Sequence, residues 1–188
     1  MGLPGKGARN VTKYSVSFSM INPSELIFCV DENNNPIEPQ LKTYAHENGI
    51  WHRNSHIWVH DGKGKILCHQ RSAIVSVNPL RWEPFFGGHN APSATPLETA
   101  VTELHEETGL AVSSEALKFI QLYRYFHGHE FISIYTYEFM GKIEDLNLEV
   151  EEVLNLQWYD MDGLRKVYSS KDPAWSHLGY EESILEIV

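Results

Sequence analysis

With 188 residues, 42% hydrophobic and 21% charged, the chain has the size and composition of one soluble globular domain. Its formal net charge of −10 opposes broad contact with nucleic-acid backbones or anionic lipid heads, so an anionic ligand needs a cation to mediate. Cys29 and Cys68 each lie in an apolar run and read as reduced, buried thiols; no segment approaches the ~18 apolar residues of a membrane span. These features predict a cytoplasmic protein with no nucleic-acid and no membrane partner.

Residues 1–24 are rich in Gly, Ser and Asn, with a brief two-residue alternation in SVSFSM, and read as an N-terminal arm or added edge strand. One domain is expected over 25–188. ELIFCVDENNNPI is a strand entering an Asn/Pro turn, and LKTYAHENG a short helix ended by Gly49. HRNSHIWVHDGKGKILCHQRS has alternating apolar runs on either side of Gly62–Gly64 and predicts a hairpin. VNPLRWEPFFGGHNAPSA reads as a loop. A helix follows, from near Thr95 to before Gly109. KFIQLYRYFHG and HEFISIYTYEFMG are two aromatic strands joined by a tight turn. VLNLQWYDM is a further strand, DGLRKVYS a helix, and LGYEESILEIV ends in a short helix. Strands around one strongly marked helix predict an α/β class with a mixed β-sheet.

That helix is sharply punctuated. Thr95 suits the N-cap, Pro96 the first helical position, Glu98 the reciprocal position of a capping box and Gly109 the left-handed stop. Leu97, Ala100, Val101, Leu104 and Thr108 form the inward stripe. Glu103, Glu106 and Glu107 share another face with no basic residue three or four positions away. Each like-charged pair costs about 0.2–0.5 kcal/mol. Glu106 and Glu107 also meet the negative end of the helix dipole, at about 0.3–1 kcal/mol each. A solvated acidic face is the bland alternative; a bound divalent cation would remove both penalties at once.

The stretch from Gly87 to Leu110, GGHNAPSATPLETAVTELHEETGL, resembles the signature of Nudix hydrolases, Gly-x5-Glu-x7-Arg-Glu-Leu-x-Glu-Glu-x-Gly-apolar. Gly88, Glu103, Leu104, Glu106, Glu107, Gly109 and Leu110 match at the right intervals; Ala94 and Thr102 stand where the first Glu and the Arg belong. HRNSHIWVHDGKGKILCHQRS, VDENNNPI and EVEEVLNLQWYDMDGL resemble the branch close to type 1 isopentenyl-diphosphate isomerase, over about residues 26–166. The resemblance implies a Nudix-type α/β/α sandwich and metal-dependent hydrolysis of a diphosphate linkage in a nucleoside diphosphate derivative or similar small molecule.

It further implies Mg2+, or Mn2+, held by Glu106 and Glu107 with the backbone near Gly88, and Glu103 as ligand or base. Glu152, six residues before Trp158, is the first choice for a further catalytic carboxylate and Glu151 the second, against a solvated loop. Arg71 would contact phosphate or form a surface salt bridge. Trp82, Phe85 and Phe86 would wall an apolar or aromatic group, or lie in the core. His46, His52 and His89 fall where the isomerase supplies three metal-binding histidines, with Glu152 or a neighbour completing the site, or else are structural. Against isomerisation, Gly87 replaces the isomerase's cysteine, and Val75 and Ser76 replace its lysine pair. A binding domain without turnover is the third reading. Relatives are often dimers, so a homodimer using the arm is an open expectation.

Overall fold

The structure, a computed structural model, describes residues 25–188; the arm expected over residues 1–24 lies outside the described residues. The opening run makes only a two-stranded ribbon, β1 (Leu26–Ile27) with β2 (Gln40–Leu41), which leads into α1 (Lys42–Glu47). β3 (His52–His60) and β4 (Lys65–Arg71) form the expected hairpin. Gly62 and Gly64 take positive φ values of 67° and 94° in its turn, a conformation that costs glycine little.

The reading of 77–94 as one loop is corrected: β5 (Trp82–Glu83) and β6 (Phe86–His89) form within it. Their cause is long-range. β3 pairs with β4 only at Val59↔Leu67 and His60↔Ile66, which leaves the edge of β3 from Asn54 to Ile57 open. β6 fills that edge antiparallel, from Asn54↔His89 to Ile57↔Phe86. The approach is tight. Gly87 has φ +147°, and a methyl group there would strike the backbone carbonyl of Ser55, so no larger residue fits this register.

After α2 (Pro96–Thr108), β7 (Lys118–Tyr125) and β8 (Glu130–Glu138) form the second hairpin, and β9 (Val153–Asp160) pairs with β4. β8 runs parallel to β3 in unbroken register from His52↔Glu130 to His60↔Glu138, which makes the sheet mixed. α3 (Met161–Ser170) and α4 (Glu181–Leu185) close the chain.

Alternation along the strands divides the core into two layers. Ile57, Val59, Leu67 and Phe86 meet Ala100 and Leu104 of α2 on one face. Trp58, Ile66, Cys68, Ile132 and Ile134 meet Leu164, Tyr168, Ile184 and Leu185 on the other. The result is the expected α/β/α sandwich. Each fully buried Leu or Ile contributes about 1.5–3 kcal/mol.

α2 starts and stops where its punctuation demands. The Glu98 N–H donates to Thr95 Oγ1 at 3.2 Å and the Thr95 N–H to Glu98 Oε2 at 2.8 Å, while Gly109 turns left-handed at φ 75°. Thr95→Ala should therefore lower stability by about 1 kcal/mol in urea titrations, and Leu104→Ala by about 2–5 kcal/mol because it leaves a cavity under α2. If Thr95→Ala has no effect on the urea midpoint, the cap does not hold the helix.

Candidate functional site

α2 carries its glutamates to three different depths. Glu106 is exposed, Glu103 half-buried, and Glu107 buried at 3% exposure. Burial, reinforced by Glu106 and Glu152, pushes the Glu103 carboxyl up to about 8, with Lys42 opposing. Glu107 is pushed well above the ordinary carboxylate range, first by burial and then by Glu103, Glu152 and Glu83, with Arg71 opposing. Its Oε2 is sealed from solvent with no hydrogen-bond partner in the described structure. A buried, unpaired carboxylate oxygen costs several kcal/mol unless something neutralises it.

Backbone bonds bring Glu152 to this ridge from a distant loop. The Asn147 N–H donates to Thr108 O at 3.0 Å and the Glu149 N–H to Glu107 O at 3.4 Å, fastening the loop to the end of α2. The Ser72 N–H donates to Glu152 O at 2.8 Å, fastening its far end to β4. Gly88 completes the wall: a methyl group there would collide with the Glu103 carboxylate, so the bare backbone leaves that side of the ridge open. Converging carboxylates, one orphaned oxygen and a glycine-lined approach fit a hard divalent cation such as Mg2+.

A second cluster stands beside the first. The Nε2 atoms of His46 and His89 are 3.0 Å apart, and the nearest ligand atoms of His46, His52 and His89 all lie within 4.8 Å of one another. His52 Nδ1 lies 2.8 Å from Ile50 O, the geometry of an Nδ1–H donating to that carbonyl, which turns the Nε2 lone pair toward the cluster. That Nε2 is buried without a hydrogen-bond partner. Burial lowers His52 to about 4 and carries His89 well below the ordinary histidine range; His46 is also lowered. All three imidazoles are thus neutral at pH 7, the state that binds metal.

A carboxylate that the sequence reading did not name, Glu130, stands beside His52 in this cluster. Glu130 Oε1 is 4.0 Å from His52 Nε2, and Glu130 Oε2 accepts from Asn54 Nδ2 at 3.1 Å. Burial pushes Glu130 up to about 7. Sequence reading missed it because only the β3–β8 register sets residue 130 opposite residue 52. Lys42 was missed as well. It shares a helix face with His46, one turn away, and its charge acts on Glu103 and all three histidines.

The expected wall residues divide. Arg71 bridges to buried Glu83 at 3.2 Å and donates from Nε to Val77 O, which leaves its NH2 edge uncommitted among the described residues. Trp82 is half-buried against Trp175 and Tyr159. Phe86 is wholly enclosed in the core under α2, and Phe85 stacks on His56 at 4.0 Å. Those two rings belong to the packing and offer no open face.

The description of the NUDIX domain matches residues 51–178. A Nudix hydrolase of Clostridium acetobutylicum is 28% identical over 156 residues, covering 78% of this chain and 75% of the relative. An isopentenyl-diphosphate Delta-isomerase of Serratia proteamaculans is 28% identical over 144 residues, covering 74% and 79%. In fold, a Deinococcus radiodurans crystal structure superposes with a TM-score of 0.70 at 16% identity, over 86% of this chain and 98% of that one. No helix among the described residues is long and apolar enough to cross a membrane. The matched span includes the carboxylate ridge and His52 and His89, with His46 five residues ahead of it, and the chain belongs to the Nudix family.

Proposed function

We propose that the protein hydrolyses a diphosphate linkage in a nucleoside diphosphate derivative or similar small molecule, using Mg2+ or Mn2+ held by Glu103, Glu106 and Glu107. The observation that carries this reading is the buried, unpartnered Glu107 oxygen crowded by Glu103 and Glu152. When bound there, the cation would neutralise phosphate oxygens and acidify a coordinated water. Glu152, solvent-exposed across from α2, would take the water's proton. Lys42, whose bridge to Glu25 is more than a third exposed at both ends, and the free edge of Arg71 orient the phosphates.

Gly87 is the strongest feature against double-bond isomerisation. The isomerase's thiol would need a Cβ at this position, and the β3–β6 register has no room for one. His46, His52, His89 and Glu130 are proposed instead as a second metal centre, suited by donor type to Mn2+ or Zn2+.

The decisive assay incubates the protein and Mg2+ with nucleoside diphosphates, dinucleoside polyphosphates, nucleotide sugars and prenyl diphosphates, and measures cleavage of the diphosphate. Glu107→Gln should abolish cleavage, and Glu152→Gln should lower kcat at least about a hundredfold with metal affinity retained. Metal binding with no turnover of any candidate substrate would support a binding domain instead.

Metal analysis should find that His52→Gln loses the Mn2+ or Zn2+ equivalent while Mg2+-dependent cleavage survives folding controls. Loss of neither metal would remove the second centre.

The pH dependence follows from the raised carboxyl groups. Folded Glu103 holds its proton up to about pH 8, whereas an unfolded glutamate releases it near pH 4.5. The folded state therefore binds the extra proton between those values, and its metal-free stability falls as pH rises toward 8. In EDTA the Tm should decline from pH 6 to pH 8.5, and the gain on adding Mg2+ should be larger at pH 8.5. Equal gains at both pH values would mean that the ridge does not bind the ion.

A further inference from the structure

On the opposite face of the sheet from Glu130, one arginine has no counter-charge among the described residues. Arg124 on β7 pairs with Phe131 on β8, and Phe131 pairs with Arg53 on β3. Because neighbouring strand residues point to opposite faces, this row lies behind the row formed by Glu130 and His52. The Arg124 guanidinium carbon sits 4.5 Å from the centre of the Trp51 ring, 4.4 Å from Phe126 and 5.5 Å from Phe131. The Trp51 and Phe126 rings meet at 85°, so the cation lies in an aromatic corner.

Among the described residues no carboxylate or carbonyl reaches this guanidinium. Its Nε is sealed from solvent without a partner, while its terminal nitrogens are not sealed. The chain has 25 acidic residues and a net charge of −10, yet none is spent here. Residues 1–24 contain no Asp or Glu, so they supply no side-chain carboxylate either. A rigidly held guanidinium fork presents parallel donors that match a phosphate group. Beside it, the Phe126 ring is 65% exposed and offers a free face on which a flat heterocycle can stack.

We infer that Arg124, Trp51 and Phe126 form a nucleotide-binding site separate from the carboxylate and histidine clusters, taking a nucleoside monophosphate with its phosphate on Arg124 and its base on Phe126. Trp51 immediately precedes His52 in the chain, so the two sites adjoin without sharing a side chain.

The test is calorimetry on the full chain in EDTA, which removes metal from the carboxylate ridge, with AMP, inorganic phosphate and adenosine as separate ligands. AMP should bind once per chain, phosphate more weakly, and adenosine weakest. Arg124→Gln should weaken AMP by about tenfold or more. Phe126→Ala, a change at an exposed side chain, should weaken AMP roughly fivefold and leave phosphate unchanged. Glu107→Gln should leave AMP binding intact even where hydrolysis is lost, which separates this site from the proposed reaction. Failure of AMP and phosphate to bind at millimolar concentration overturns the proposal. So does an Arg124→Gln protein with a lowered Tm but unchanged AMP affinity, the mark of a stack that only braces the β7–β8 turn.

Discussion

The seating of β6 on the open edge of β3 is the constraint on which both clusters depend. Its four residues each do a different job, on alternating faces. Phe86 points into the core under α2, Gly88 leaves room for the Glu103 carboxylate on that same side, and His89 joins His46 and His52 on the other. Gly87 lets the strand approach closely enough for the pairing to form. A one-residue slip would exchange the faces and separate both clusters at once.

Charge then decides what this geometry can hold. Bare, the α2 ridge is a set of carboxyl groups that burial and mutual repulsion hold above their ordinary range. The histidine cluster is its counterpart: neutral bases, one with a sealed nitrogen, and a partly buried acid in the neighbouring strand. Both are poor arrangements for an isolated protein and good ones for a metalloprotein, because a cation converts the repulsion into coordination. Without a cation, a hydrophobic residue in place of Glu107 would make the fold more stable, since buried ionisable groups are costly without a partner.

The helix was legible because its signals are local. Thr95, Pro96, Glu98 and Gly109 act within a few residues of one another, and each fixes one end of α2. The spacing of Glu103, Glu106 and Glu107 could be read for the same reason, and so could the hairpin around Gly62–Gly64 and the resemblance to Nudix hydrolases. The strand character of 82–83 and 86–89 was not legible. Pro84 and paired glycines look like loop residues until an unfilled edge exists for them to pair with. Aromatic residues showed the same limit: nothing local distinguishes Phe86, sealed in the core, from Phe126, standing in solvent.

By itself, then, the sequence determined the family, the mixed α/β class, the limits of α2 and the side chains that crowd its outer face. Periodicity, capping chemistry and motif spacing are all written along the chain over short distances. Only the tertiary structure decided which distant groups meet them. Glu152 reaches α2 through a loop bonded at both ends, Glu130 comes to stand beside His52, and Arg124 packs among aromatic rings. Those outcomes depend on strand register and on which edge remained open, and both are settled by packing across the whole sheet.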